Sequence, residues 1–111
     1  MSSVYALNLF DLVPNDYYRT YSQRSLDTVR AHGGSVVALG RFARAQVSDG
    51  AEPRQAMILV EWASAETLQG FLDDPAIDDL HALRENGTQN YLWWVYDRIE
   101  DLRPLFAGAQ P

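Results

Sequence analysis

The segment SVVALGRFARAQVSDGAEPRQAMILVEWA, residues 35–63, decides the architecture. Its two ends, Ser35–Ala45 and Gln55–Ala63, are rich in β-branched and apolar residues and read as strands. The polar VSDGAEP between them carries an Asp49-Gly50 turn signal, so the pair reads as a long hairpin. A turn centred near Gly50 would bring Arg41 opposite Glu61, a favourable cross-strand charge pair.

Upstream, Gly33 and Gly34 end a helix that Asn15 caps, with Asp16 in its first turn and Ala31 near its end. On a helical wheel Tyr18, Tyr21, Ser22, Ser25 and Val29 share one face, and His32 falls near the end of it. Before Pro14, the segment VYALNLFDL (Val4–Leu12) is apolar on both faces, as expected of a strand covered on each side. Downstream, Ser64 caps a short helix with Leu68, Phe71 and Leu72 inward. Asp74-Pro75 starts a second piece that Asn86-Gly87 ends. NYLWWVYDRI (Asn90–Ile99) reads as a last strand with Tyr91 and Trp93 on one face and Trp94 and Tyr96 on the other.

The order β, α, β, β, α, β predicts an α+β fold, a ferredoxin-like antiparallel sheet with helices on one face. An aromatic last strand at the edge of that sheet calls for a cover, so a homodimer forming an α+β barrel is expected. The 111 residues, 47% of them hydrophobic, fit one domain, with about residues 104–111 as a tail whose Leu105-Phe106 pair would anchor on the partner.

The chain has no cysteine, which removes disulfides, thiolate metal sites and cysteine nucleophiles. All nine basic residues are arginine, scattered through a chain of net charge −6, so no basic stripe suits nucleic acid and no lysine can form a Schiff base. No apolar run reaches the length of about 18 residues that a membrane span needs, and MSSVYALNLF is unlike a signal peptide. A cytoplasmic protein without membrane or nucleic-acid partners is expected. GxSxG and phosphate-loop motifs are also missing.

The combination of Gly33-Gly34 with Gly40 downstream, Glu61-Trp62 closing a strand, and DPAIDDLHALR with Asp74, Pro75, Leu80 and Arg84 resembles domain-of-unknown-function family 1330. That family belongs to the dimeric α+β barrel superfamily, and the resemblance covers nearly the whole chain. It implies two sheets facing each other across a dimer, with a cleft between sheet and helices in each subunit. Relatives in the superfamily include cofactor-free monooxygenases, lactone isomerases, polyketide cyclases and haem-binding proteins. Ile77 stands where the family often carries an aromatic residue, so a hydroxyl there is absent from this chain.

Ile77, Leu80, His81 and Arg84 share one helix face, which places a histidine and an arginine on a buried stripe. Functionally, His81 or Glu61 would be the acid/base and Arg84 the anchor for a carboxylate or enolate. Structurally, His81 is a satisfied boundary residue and Arg84 reaches helix-end carbonyls. Asn8, Tyr18, Tyr21, His32, Arg41, Trp62, Tyr91 and Trp93 are the expected substrate-binding set, for a small apolar or aromatic ligand. The same aromatics also suit a core or an interface, and Glu61 and Asn8 suit purely structural pairing. Asp73, Asp74, Asp78 and Asp79 fit a helix start better than a metal site, and no metal or cofactor is expected. Three functions follow as expectations: a cofactor-free cyclase or isomerase, a non-catalytic ligand-binding or accessory module, and a cofactor-independent monooxygenase.

Overall fold

The computed structural model describes residues 2–108. In chain order it contains β1 (Val4–Leu12), α1 (Tyr17–Ala31), β2 (Gly34–Arg41), β3 (Ala56–Trp62), α2 (Ala65–Asp73), a 3-10 turn (Pro75–Ile77), α3 (Asp78–Gly87), β4 (Thr88–Asp97) and α4 (Arg103–Gly108). The four strands form one antiparallel sheet in the order β2-β3-β1-β4. This is the expected ferredoxin-like α+β fold, and it leaves the aromatic β4 at an edge.

The alternation of β1 sets the two sides of the sheet. Val4, Ala6, Asn8 and Phe10 are buried toward the helices, while Tyr5, Leu7 and Leu9 on the other face are half-buried. Opposite β1, Val60 and Trp62 of β3 join Val4, Ala6, Val29, Leu68 and Phe71 in the core. The helices are anchored by local chemistry. Ser64 and Thr67 form a reciprocal capping box at the start of α2. Asp74 Oδ1 accepts from the Ala76 amide at 2.9 Å and caps the 3-10 turn.

Several boundaries differ from the sequence reading. The second strand ends at Arg41, not Ala45, because the chain leaves the ladder after the Phe42 amide bonds the Gln55 carbonyl. Gln55 is then bound by β1: its amide donates to Asp11 Oδ1 at 2.7 Å and its Oε1 accepts from the Leu12 amide at 3.0 Å. The hairpin register shifts with it. Arg41 stands opposite Ala56, and Glu61 opposite Ser35, so the expected Arg41–Glu61 pair does not form. The helix expected to begin at Pro75 is α3 from Asp78, after the 3-10 turn. The last strand starts at Thr88 directly after Gly87, with Asn90 at φ 55 beside the break in register between Leu9 and Asp11. The N-cap of α1 is Asp16 and not Asn15, without a side-chain cap bond; Asn15 Oδ1 accepts from the Tyr17 amide at 2.9 Å in the turn before the helix, and no acidic residue stands in its first turn. Much of the expected tail is the helix α4, whose Leu105 and Phe106 are exposed; residues 109–111 lie outside the described residues.

Gly87 sets how closely α1 and α3 approach. A Cβ there would lie 2.6 Å from the Tyr18 backbone nitrogen and 3.0 Å from its Cα. Gly87→Ala is expected to cost about 2 kcal/mol in denaturant unfolding, as overpacking against backbone does. Gly70→Ala, in α2 with nothing within 4 Å of the new methyl, is expected to add about 0.5 kcal/mol from helix propensity. Equal effects at the two positions would refute this packing.

Candidate functional site

Between α1 and the helix-facing side of the sheet lies a cavity of about 550 Å³. The α1 stripe Tyr18, Tyr21, Ser22, Ser25 and Val29 forms its roof, and Val36, Leu39, Ile58, Val60 and Trp62 of β2 and β3 form much of its floor. Asn8, Tyr91 and Trp93 line it from β1 and β4, Phe71 from α2, and Leu26 and Arg30 also contribute. Its volume suits a bicyclic or tricyclic small molecule. None of its lining residues is Asp, Glu, His or Lys.

Polar groups gather around Asn8. Its Nδ2 donates to the carbonyls of Ala6 and Ile58, each at 3.2 Å, which fixes the amide and leaves Oδ1 to accept from the Tyr91 hydroxyl at 2.6 Å. The Tyr91 ring stacks on Phe10 with centroids 5.0 Å apart, Phe10 also meets Tyr18 at 5.0 Å, and Tyr18 meets Tyr21 at 5.2 Å. Burial pushes the Tyr18 and Tyr91 phenols well above the ordinary tyrosine value, so both remain hydrogen-bond donors. The indole N–H groups of Trp62 and Trp93 are buried with no protein acceptor among the described residues.

Behind this wall sits Arg84, 8% exposed, with its guanidinium 5.0 Å from the Trp93 ring centre and 5.8 Å from that of Tyr21. His81 holds it. His81 Nε2–H donates to the Phe71 carbonyl at 2.9 Å, so Nδ1 accepts from Arg84 Nη1 at 3.0 Å. Both imidazole nitrogens are thereby occupied.

The structure thus gathers Asn8, Tyr18, Tyr21, Trp62, Tyr91 and Trp93 around one cavity, with Arg84 and His81 immediately behind it. Three predicted residues lie elsewhere. Glu61 is on the opposite face of the sheet, bound to Ser3 Oγ at 2.8 Å and Arg98 Nη1 at 3.1 Å, because it alternates with the core residues Val60 and Trp62. Arg41 is exposed at the end of β2. His32 bridges α1 to the 3-10 turn: Nδ1 lies 2.8 Å from the Thr28 carbonyl and Nε2 2.9 Å from Asp74 Oδ2. Among the lining residues outside the expected set are Leu39 and Phe71, along with Val36, Ile58 and Val60 of the strands. Phe71 was legible as an inward helix residue, whereas Leu39 reaches the cavity face only because a bulge at Val37 shifts the alternation of β2. Among the described residues, no three His, Cys, Asp or Glu side chains form a metal-ligand group, and no helix is long and apolar enough to cross a membrane.

Residues 3–97 match the family described as a domain of unknown function, DUF1330. The chain belongs to that family. Among solved structures it is similar to a protein of unknown function from Rhodopseudomonas palustris, at 18% identity and TM-score 0.79 over 90% of this chain and 85% of that one. It is also similar to SnoaB, a cofactor-independent oxygenase from Streptomyces nogalater, at 10% identity and TM-score 0.65 over 93% and 99% of the two chains. A third relative is a dimeric protein of unknown function with a ferredoxin-like fold from Bacteroides fragilis, at 11% identity and TM-score 0.56 over 88% and 98%. No curated protein matches the sequence. At these identities the likeness shows this DUF1330 chain's fold, and function must be argued from the cavity.

The His32–Asp74 clasp predicts a pH dependence of stability. The Thr28 carbonyl and then Asp74 raise the His32 imidazole above 6.5. Its stabilising effect is full below that value and is lost as pH rises through the elevated folded value. The His32 bond, followed by that from the Ala76 amide, lowers the Asp74 carboxyl below 3.8, so its contribution is lost only as pH falls through that depressed value. Melting temperature should therefore fall as pH rises past the ordinary imidazole value and through the elevated folded one, and His32→Asn should flatten that fall. An unchanged slope in the variant would remove His32 as its source.

Proposed function

We propose that this chain is a homodimeric small-molecule protein that binds a flat apolar carbonyl or phenolic compound between α1 and the sheet, and acts on it without a cofactor. One observation carries the reading: an aromatic-walled cavity with phenol donors beside Asn8 and no carboxylate or imidazole among its lining residues. That lining gives little support to a proton-transfer cyclase or isomerase, since His81 is doubly bonded and Glu61 lies across the sheet. It suits an oxygenation in which a readily enolised substrate supplies the electrons. A methylene becomes a carbonyl, one atom of dioxygen entering the product and the other leaving as water. The likeness to a cofactor-independent oxygenase supports this choice.

The same lack of a base favours a second reading, a module that holds its ligand without turnover. The dimer is proposed on the face of the sheet away from the helices, where Leu7, Leu9, Leu59 and Leu92 are half-buried and Trp94 and Tyr96 are 47% and 52% exposed. The dimeric ferredoxin-like relative supports it.

The probe 2-tetralone is flat and bicyclic, with a methylene between aryl ring and ketone. Oxygen uptake above the buffer rate, reduced about tenfold by Tyr18→Phe, is the expected result. Saturable quenching of tryptophan fluorescence without oxygen uptake would leave the binding module; no binding would overturn the cavity assignment. For the dimer, Trp94→Glu should yield a monomer by light scattering, and a wild-type monomer at about 100 μM would contradict the interface.

A further inference from the structure

Resting on the cavity assignment above, we infer that the ligand is taken as an anion, its charged oxygen at the Tyr18–Tyr21 end of the cavity and Arg84 supplying the opposing charge. A guanidinium 8% exposed is costly unless compensated, and most buried arginines meet a buried carboxylate. Here the only carboxylate within 4.0 Å among the described residues is that of Glu85, at 3.8 Å from Nη2, on a side chain that is itself 69% exposed. The remaining partners of Arg84 are the His81 Nδ1 lone pair and the faces of Trp93 and Tyr21, all uncharged in these roles. The positive charge is therefore held close behind an apolar wall, where low dielectric makes it felt further than in water.

The groups in front of it are donors. Tyr91 donates to Asn8, whereas the Tyr18 and Tyr21 hydroxyls have no protein acceptor among the described hydrogen bonds. The Arg84 guanidinium lies over the Tyr21 ring, 5.8 Å from its centre, which places the charge at this end of the cavity. The buried indole N–H groups of Trp62 and Trp93, two further donors without a protein acceptor, belong to residues on the same walls. Donors in front and a fixed cation behind match a carboxylate, phenolate or enolate on an aromatic ring. His81 is a positioning residue in this arrangement: its bonds to Phe71 and Arg84 hold the guanidinium against the Trp93 face.

The test compares 2-naphthoate with its neutral planar isostere 2-naphthamide by isothermal titration calorimetry. Wild-type protein should bind the acid anion about tenfold or more tighter than the amide. Arg84→Met should bring the two within about twofold, chiefly by weakening the acid, and Arg30→Gln, at the exposed part of the lining, should keep the preference. His81→Leu should reduce the preference although the charge remains, and His81→Asn should partly restore it. Should Arg84→Met fail to fold, the wild-type ratio together with Arg84→Lys decides. Equal affinities for the two probes in wild type would overturn the inference and leave the cavity assignment standing. Loss of the preference in Arg30→Gln but not in Arg84→Met would reassign the charge and overturn it as well. Failure of both probes to bind would count against the cavity assignment itself.

Discussion

The close passage of α1 across α3 at Gly87 governs the rest of the molecule. With no side chain at Gly87, the backbone of Tyr18 comes within a distance that no Cβ permits. The turn before α1 is fastened to the same place, the Val13 amide bonding the Gly87 carbonyl at 3.1 Å and Asn15 Nδ2 the Asn86 carbonyl at 3.2 Å. The helix is thereby tied to α3 along its first turns and meets the sheet chiefly at β2. A helix resting on another helix, and not flat on the strands, leaves space above Ile58 and Val60, and that space is the cavity.

The sheet then separates two tasks. Its helix-facing side carries Asn8 and Tyr91, a polar pair fixed within an aromatic shell and backed by a buried cation. Its other side carries leucines with Trp94 and Tyr96, an apolar surface of the kind that soluble chains cover. Period-two alternation keeps the tasks apart, and it also removes Glu61 from the neighbourhood of His81 and Arg84. A proton-transfer mechanism built on those three residues requires them on one side of the sheet. The arrangement present favours recognition of a charged oxygen over abstraction of a proton.

Much of the fold was legible because its signals are local: Gly33-Gly34 stops a helix, Ser64 caps one, and Asp74-Pro75 opens the next helical piece. The α1 face was legible from helical spacing, and each of its five inner residues lines the cavity. What was not legible depends on partners distant in sequence. The hairpin register is set by Asp11 and the end of β1 capturing Gln55, 44 residues away, so no turn residue near Gly50 encodes it. The bulge at Val37 has no local signature, and with it Leu39 was lost from the predicted lining. His32 falls near the end of the inner α1 face, but its partner Asp74 lies 42 residues on, which makes it a clasp and not a cavity residue.

A crystal structure of the protein grown with 2-naphthoate would show whether the cavity takes an aromatic anion in front of Arg84. The naphthyl ring should lie between α1 and the sheet, against Trp93 and Val60, with its carboxylate at the Tyr18–Tyr21 end in front of Arg84. A ring bound on the opposite face of the sheet, or α1 settled onto Ile58 and Val60 with no room for a ligand, would contradict it.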